Sequence, residues 1–389
     1  MTVARRLKPF GESVFATMSR LALEHGAVNL GQGFPDFDPP TFVREAAKQA
    51  IDQGFCQYGR SAGLLEVTRA LAPQLKQTTG NSYDPEREIT VTAGCTETIA
   101  AALLGLLDPG DEVIMFDPSY DSYAACVAMA GGVARRIALR GPTFRIEETA
   151  LREVASPRTR IILLNSPHNP TGRIFDEAEL RAVARLAQER NIIVISDEVY
   201  EQITFTRAHL SIASLSGMAE RTLVLSSLGK TYSCTGWKIG WAAGPSALNE
   251  AVRAAHQFLT FCCATPLQCS AVGALASGSA YQEQLRRDYG VRRQIALEEL
   301  RSAGFTPIEP EGSYFIVAPI ANLRLGSDTQ AAEALVREAQ VATIPVSAFC
   351  AEPAQTGHYL RFAFCKQEAT LREAGRRLRA WTAQRPARV

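Results

Sequence analysis

The alternation of short apolar segments with helical patterns between residues 88 and 244 constrains the fold of this chain most. Six segments in this region predict strands: EITVTAG, EVIMFDP, RIILLNSP, NIIVISDE, TLVLSS and IGWAAG. Between them, TETIAAALLGLL and EAELRAVARLAQER repeat apolar residues at spacings of three and four, which predicts helices. Strands that are apolar on both faces and alternate with helices are typical of a mostly parallel, doubly wound α/β sheet.

Polar or turn residues end nearly every one of these predicted strands. They are Gly94, Asp117, Asn165, Asp197 and Ser227. In sheets of this kind, ligands bind outside the carboxyl ends of the strands. We therefore expect these five residues to face one cleft.

The pattern changes near residue 280, where a long charged helical segment begins. It is followed by the strand candidates SYFIVAP, ATIPVSAF and YLRFAFCK, with helices between and after them, which is typical of a smaller α+β domain. We expect an N-terminal arm over residues 1–25, a small domain over 26–47 and 280–389, and a large domain over 48–279. The segment NLGQGFPDFDPP, rich in glycine and proline, is expected to cross between the domains.

Composition limits the partners of the chain. The formal net charge of +1 over 389 residues gives no general attraction to nucleic acid or to an anionic membrane, so we expect neither partner. We find no secretory signal pattern and no apolar run of membrane-spanning length, and we expect a cytoplasmic protein. The five histidines show no paired ligand spacing, so no metal site is expected.

Two nucleotide-binding patterns are present only in part. Gly229-Lys230-Thr231 matches the end of the phosphate loop of nucleotide hydrolases, but Val224 stands where that loop needs its first glycine. The segment GQGFPD has two glycines of the dinucleotide fingerprint, and prolines follow where its helix should begin. The first pattern therefore gives only weak support for a nucleotide hydrolase, and the second does not support a dinucleotide-binding fold.

Lys230 is explained better as a lysine that forms a Schiff base with an aldehyde cofactor. Such a cofactor needs local donors for its phosphate and a carboxylate for its ring nitrogen. The predicted helix start at Gly94-Cys95-Thr96 offers the donors, and Asp197 at the end of the neighbouring strand candidate NIIVISDE offers the carboxylate.

Four segments together carry a family resemblance: NSPHNPTG, SDEVYE, SSLGKTYSCTGWKIGW and YLRFAF. They resemble, in the same order, the signature segments of fold-type I, pyridoxal-phosphate-dependent aminotransferases of class I/II. The likeness runs from about residue 13 to the C-terminus. VNLGQGFPDF and DPSYDSY are most similar to the kynurenine/glutamine aminotransferase group and its bacterial methionine aminotransferase relatives. The resemblance implies a large domain with a mostly parallel seven-stranded sheet.

The resemblance implies roles for four residues around the pyridoxal 5′-phosphate ring. Lys230 would be the Schiff-base lysine, which also moves the substrate proton. Asp197 would pair with the pyridine nitrogen and keep it protonated. Asn169 and Tyr200 would donate hydrogen bonds to the phenolic oxygen of the ring.

Further cofactor contacts follow from the same resemblance. The residues expected at the phosphate are Gly94, Cys95, Thr96, Ser227 and Lys238, with Tyr58 from the neighbouring subunit of a homodimer. The alternative for Tyr58 is packing in its own core. Tyr120 would stack on the cofactor ring.

For the substrate, the resemblance implies that Arg361 holds the α-carboxylate, while a structural salt bridge is the alternative. Gly33, Asn169, Phe15 and Phe261 match positions around the substrate. HQFLTFCCATPLQ shows no clear second arginine of the kind that dicarboxylate-specific relatives have, which favours a neutral, apolar or aromatic side chain. Methionine, glutamine, phenylalanine, tyrosine and kynurenine-like donors fit, although Thr96 and Cys262 depart from the kynurenine group.

The expected reaction is transfer of an amino group from such an amino acid to a 2-oxo acid. A β-lyase that acts on cysteine conjugates is the alternative within the same cofactor class. A nucleotide hydrolase with a phosphate loop is the alternative from another class. A catalytically silent regulatory domain is disfavoured because Lys230 is present and we see no DNA-binding extension.

Overall fold

The computed structural model of the protein describes residues 3–323 and 325–385. The helices are α1 (Val14–Glu24), α2 (Thr41–Asp52), α3 (Leu65–Thr79), α4 (Cys95–Leu106), α5 (Ser122–Met129), α6 (Glu148–Val154), α7 (Glu177–Glu189), α8 (Leu228–Thr231), α9 (Ser246–Leu259), α10 (Thr265–Ala276), α11 (Gly278–Ser302), α12 (Asp328–Ala334), α13 (Pro353–Thr356) and α14 (Glu368–Ala383). The strands are β1 (Val28–Asn29), β2 (Ile89–Thr92), β3 (Glu112–Asp117), β4 (Val133–Ala138), β5 (Thr159–Asn165), β6 (Ile193–Asp197), β7 (Thr222–Ser227), β8 (Gly240–Ala243), β9 (Phe315–Pro319), β10 (Val341–Ala342), β11 (Ile344–Pro345) and β12 (Tyr359–Ala363).

The central sheet has seven strands in the order β2-β8-β7-β6-β5-β3-β4. Strand β8 runs antiparallel to β2 and β7, and the other neighbours pair in parallel, so the predicted mostly parallel seven-stranded sheet is confirmed. Six of the strands coincide with predicted segments. The seventh, β4, has no apolar run because it lies at the sheet edge and alternates exposed with partly buried residues.

Helices cover both faces of this sheet. In β3, Val113 packs with Leu103 of α4 on one face, and Ile114 packs with Leu180 of α7 on the other. Successive side chains of a strand point to opposite faces, so an apolar run buried on both sides is what this position requires. The doubly wound arrangement leaves the carboxyl ends of the parallel strands open toward the smaller domain.

One predicted cleft residue lies elsewhere. Asp117 ends β3, but its carboxylate pairs with Arg136 of β4 at 3.0 Å and accepts a hydrogen bond of 2.7 Å from the backbone N–H of Ala351. The prediction that it faces the cleft is wrong. The carboxylate of Asp117 therefore connects β3 to β4 through Arg136 and to the C-terminal part of the chain through Ala351.

The smaller domain contains the antiparallel sheet β11-β12-β9 and the parallel pair β1-β10. Met18 and Leu21 of α1 pack into its core with residues of α11, β12 and α14. The predicted strand ATIPVSAF is shorter than expected, since Val346–Phe349 forms a 3-10 helix.

The segment between residues 26 and 47 does not pack as one piece. Val28 and Asn29 pair with β10 of the smaller domain, whereas Val43 of α2 packs with Leu71 of α3 in the larger one. The exact domain boundaries stay a prediction. Across residues 3–323 and 325–385, every helix is too short or too polar to span a bilayer.

Candidate active site

A cavity of about 340 Å³ lies at the carboxyl ends of the strands, between the two domains. It brings together thirteen of the fifteen predicted site residues: Phe15, Gly33, Gly94, Cys95, Thr96, Tyr120, Asn169, Asp197, Tyr200, Ser227, Lys230, Lys238 and Arg361. Tyr58 and Phe261 do not line it.

The turn from β2 into α4 forms one end of the cavity. Gly94 adopts φ +79°, a conformation that favours glycine. The backbone N–H groups of Cys95 and Thr96 start α4, and neither donates to a residue that the structure describes. A Cβ at Gly240 of β8 would lie 2.6 Å from the Cys95 nitrogen, so a glycine is needed for this close approach. The turn therefore presents free donors and a helix N-terminus, which is a site for an anion.

Two side chains complete this end. A Cβ built on Gly94 would lie 3.2 Å from Nζ of Lys238, which places the ammonium directly beside the helix start. Ser227 ends β7, and its register partner on β8 is Gly240, the residue packed against the same turn. A hydroxyl, a cation and two backbone donors thus surround one position, as a phosphate requires.

Asp197 lies buried at the end of β6. Its Oδ2 accepts a hydrogen bond of 2.6 Å from the hydroxyl of Tyr123, and Oδ1 accepts one of 3.2 Å from the N–H of Val199. Burial raises the pKa of this carboxyl, and the hydrogen bond from Tyr123 is the largest influence that opposes the rise. Tyr123 was not predicted as a site residue, and its only signal in the sequence is its place three residues after Tyr120 in DPSYDSY.

Lys230 lies on α8, the short helix that follows β7. Its Nζ is 5.7 Å from the ring centroid of Tyr200 and 5.8 Å from that of Tyr314. Burial lowers the pKa of the Lys230 ammonium. A lysine whose neutral form is favoured in this way is prepared to attack a carbonyl group.

Arg361 is a fully buried arginine in the middle of β12. Nη1 donates to Oδ1 of Asn169 at 2.9 Å and Nη2 donates to the carbonyl of Gly31 at 2.6 Å, while Nε has no hydrogen-bond partner. The guanidinium carbon lies 4.1 Å from the ring centroid of Phe315. Among the described residues no carboxylate lies within salt-bridge distance, so the predicted alternative of a structural salt bridge is not found. Burial lowers the pKa of Arg361 to about 10.

Asn169 has its amide orientation fixed by this arginine. Because a guanidinium only donates, the Asn169 atom facing it must be the oxygen, which leaves the NH2 group free to donate elsewhere. Asn165, which the sequence analysis placed only at a strand end, accepts from the Asn169 N–H at 2.8 Å and donates to the Asp197 carbonyl at 3.0 Å. It joins the two segments that carry the predicted ring contacts.

The aromatic residues Phe15 and Tyr120 both line the cavity. Phe15 lies 5.1 Å from the guanidinium carbon of Arg361, and Tyr120 packs edge-on against Tyr123 at 5.6 Å. At Gly33, a Cβ would lie 2.9 Å from the ring of Phe315, so a larger residue would push into the same space.

Tyr58 and Phe261 lie together on the surface. Their ring centroids are 5.1 Å apart, and Tyr58 is 84% exposed. Phe258, three residues before Phe261 and near the end of α9, is also largely exposed. A cluster of exposed aromatic rings is typical of an interaction surface.

The group implied by the resemblance fits these residues. Pyridoxal phosphate carries a phosphate, a carbonyl and a ring nitrogen that needs a carboxylate. The cavity offers the unpaired N–H donors of Cys95 and Thr96 beside Lys238, the carboxylate of Asp197 and the amine of Lys230 in one lining. Its volume lies within the usual range of about 300–1,000 Å³ for small-molecule sites.

Comparison with known proteins gives a family match and close relatives. Residues 26–378 match the family model described as aminotransferase class I and II. The probable N-succinyldiaminopimelate aminotransferase DapC of Mycobacterium tuberculosis is 45% identical, over 100% of both chains. The methionine aminotransferase of Escherichia coli is 38% identical over 96% of this chain and 97% of its own. Kynurenine–oxoglutarate transaminase 1 of Mus musculus is 35% identical over 97% of both.

Two solved aminotransferase structures are similar to this chain over nearly its whole length. The N-succinyldiaminopimelate aminotransferase structure from Mycobacterium tuberculosis superposes with a TM-score of 0.95, 45% identity, and coverage of 98% of this chain and 100% of that one. The structure of an Escherichia coli protein with a methionine aminotransferase function gives a TM-score of 0.94 at 38% identity, with the same coverage.

Proposed function

This chain belongs to the class I and II aminotransferases, and on that premise we propose that it uses donors with neutral, apolar or aromatic side chains. The family membership makes it a pyridoxal-phosphate-dependent aminotransferase that takes amino-acid and 2-oxo-acid substrates. Membership of this family, and not nucleotide hydrolysis, therefore accounts for Lys230.

The bound cofactor supplies a carbonyl that accepts the amino group and a ring that withdraws electrons from the substrate. The residues around it have separate tasks. Lys230, as a neutral amine, would hold the cofactor through its carbonyl and, once the substrate amine has displaced it, would be free to move the proton at the substrate Cα. Asp197 would hold a proton on the ring nitrogen, and Tyr200 and the free NH2 of Asn169 would donate to the ring oxygen. Gly94, Cys95, Thr96, Ser227 and Lys238 would hold the phosphate.

The observation that carries the proposal is the buried guanidinium of Arg361 without a counter-ion. Burying a charge is costly unless it is paired, so a site that maintains one is built for an anionic ligand. The α-carboxylate of an amino acid provides that partner with bidentate geometry. Asn169 and Gly31 accept hydrogen bonds from Nη1 and Nη2 of Arg361, and these two bonds fix the plane of the guanidinium.

The charges of the cavity indicate the substrate class. The charged residues that line it are Asp197, Lys230, Lys238 and Arg361. Each has a partner in the cofactor or in the α-carboxylate, so within the described lining no cation remains for a second substrate carboxylate. The rest of the substrate meets Phe15, Phe34, Ile99 and the ring of Phe315 among others, which favours an uncharged side chain.

A panel of amino donors tests this proposal. We expect the enzyme loaded with pyridoxal phosphate to convert methionine, glutamine, phenylalanine, tyrosine or kynurenine with a 2-oxo acid acceptor, and aspartate at least about 10-fold less efficiently. The panel includes N-succinyldiaminopimelate, because the 45% identical relative is named for it. A clear preference for that compound or for aspartate would refute the uncharged side-chain proposal. Pyruvate and ammonia released from a cysteine conjugate without an acceptor would indicate β-lyase chemistry.

We also propose a homodimer in which Tyr58 reaches the phosphate of the partner subunit and Phe261 lies near its substrate. The exposed cluster of Tyr58, Phe258 and Phe261 supports this proposal, because these rings do not serve the cavity of their own chain. Sedimentation of the wild type and of Phe258→Glu tests the assembly, with the variant expected to dissociate more readily. Mixing Lys230→Ala with Tyr58→Ala subunits should restore activity, since one site of each mixed dimer is complete. A monomeric wild type, or no recovery in proven mixed dimers, would contradict the shared site.

A further inference from the structure

The hydroxyl of Tyr123 donates a hydrogen bond to the buried carboxylate of Asp197. We propose that Tyr123 is a positioning residue that keeps Asp197 ionised and weakly basic, so that the cofactor nitrogen it faces retains its proton. This inference rests on the proposed function, since it requires the ring nitrogen to lie at Asp197. It adds a residue that acts through Asp197.

The geometry is that of a strong hydrogen bond. The Tyr123 oxygen lies 2.6 Å from Oδ2 of Asp197, within the short range of a hydroxyl that donates to a carboxylate. The side chain of Tyr123 is 2% exposed and its ring packs edge-on against Tyr120. Burial and the neighbouring charge of Asp197 raise the pKa of Tyr123 well above its usual value. The phenol therefore remains a donor throughout the pH range of activity.

The effect on Asp197 follows from the balance of its surroundings. Desolvation favours the protonated acid, while the Tyr123 hydroxyl, the Val199 N–H and the Cys95 thiol stabilise the anion, in that order. Loss of the strongest donor makes the carboxylate a stronger base. The proton shared with the ring nitrogen then moves to the carboxylate: the N–H bond breaks, an O–H bond forms, and the ring loses its positive charge. A neutral ring withdraws electrons less well, so removal of the Cα proton slows.

The experiment uses Tyr123→Phe, which removes one hydroxyl and keeps the ring. The full-length enzyme is loaded with pyridoxal phosphate labelled with ¹⁵N in the ring, and the ¹⁵N chemical shift reports the protonation state directly. We expect the signal of the variant to move toward that of a neutral pyridine. We also expect kcat to fall about 10-fold or more while KM changes little, as for loss of a hydrogen bond to a charged group.

Two further variants separate this effect from a structural one. Tyr83→Phe is the matched control, because Tyr83 is equally a buried tyrosine but lies in the core with α3, outside the cavity lining. It should leave the ¹⁵N signal and kcat unchanged. Cys95→Ala removes a weaker donor to Asp197 and should shift the signal the same way by less, which tests the inference even if Tyr123→Phe folds poorly.

The outcomes distinguish the inference from the proposed function. A ring nitrogen that is protonated in the wild type, is discharged in Asp197→Asn and is unchanged in Tyr123→Phe overturns only the role of Tyr123. A ring nitrogen that is already neutral in the wild type, or unchanged in Asp197→Asn, overturns the proposed role of Asp197 as well.

Discussion

Replacing Arg361 with lysine tests the carboxylate site most directly. The guanidinium presents a planar fork, whereas an ammonium keeps the charge but approaches a carboxylate as a single point. We expect Arg361→Lys to lose one of two charge-assisted hydrogen bonds, each worth about 1.5–3 kcal/mol. That free energy corresponds to a fall in kcat/KM of about 10- to 150-fold for an amino-acid donor. The stacking of the guanidinium on Phe315 at 4.1 Å is also lost, which lowers stability rather than discrimination.

The assay compares methionine with the same amine lacking its carboxylate, 3-(methylthio)propylamine, in single-turnover reactions. The wild type should prefer methionine strongly, and Arg361→Lys should reduce that preference by the factor given above. Arg173→Lys serves as the control, since Arg173 is a largely buried arginine that pairs with Glu179 at 2.9 Å and does not line the cavity. It should lower stability and leave the preference intact. If Arg361→Lys slowed both amines equally, the guanidinium would not be the carboxylate site.

Two further predictions concern the cofactor turn and a buried acid. Gly94→Ala places a Cβ 3.1 Å from Cε of Lys238 at φ +79°, and it should weaken the binding of pyridoxal phosphate, measured by fluorescence. The control is Gly54→Ala, at φ +80° with open space around it, which should cost only about 1–3 kcal/mol of unfolding free energy. Burial raises the pKa of Glu201 from its usual value of 4.5 to about 8. Since the folded state then binds a proton that the unfolded state releases, stability should fall as pH rises between about 4.5 and about 8, and urea titrations of Glu201→Gln should lack this slope.

The strands that could be predicted from sequence are those buried on both faces. Their continuous apolar runs identify β3, β5, β6 and β7 without any knowledge of their neighbours. Strand β4 was not predicted because its residues alternate between exposed and partly buried positions up to Ile137, and because Arg135 and Arg136 make it look like a loop. Asp117 was misplaced for a related reason: the rule for strand ends gives the edge of the sheet, but not the salt bridge that Arg136 supplies there.

The site residues divide in the same way. Lys230, Asp197 and Arg361 can be recognised because each is a charge in or beside an apolar strand, where it needs a function or a partner. Tyr123 could not be recognised, since it lies 74 residues from Asp197 and a tyrosine in an apolar helix is usually part of the core. Its proposed role depends on one hydroxyl contact between α5 and the end of β6, which only the fold determines.

The charges of the cavity explain why the protein maintains an arrangement that is costly without a ligand. Lys230, Lys238 and Arg361 outnumber the single carboxylate of Asp197, and the buried Lys230 and Arg361 both have lowered pKa values because of desolvation. We expect the phosphate of the cofactor at the helix start and the substrate carboxylate at Arg361 to neutralise this excess. With both anions held, the substrate would be oriented as well as bound, which is how a rigid fold converts binding into orientation.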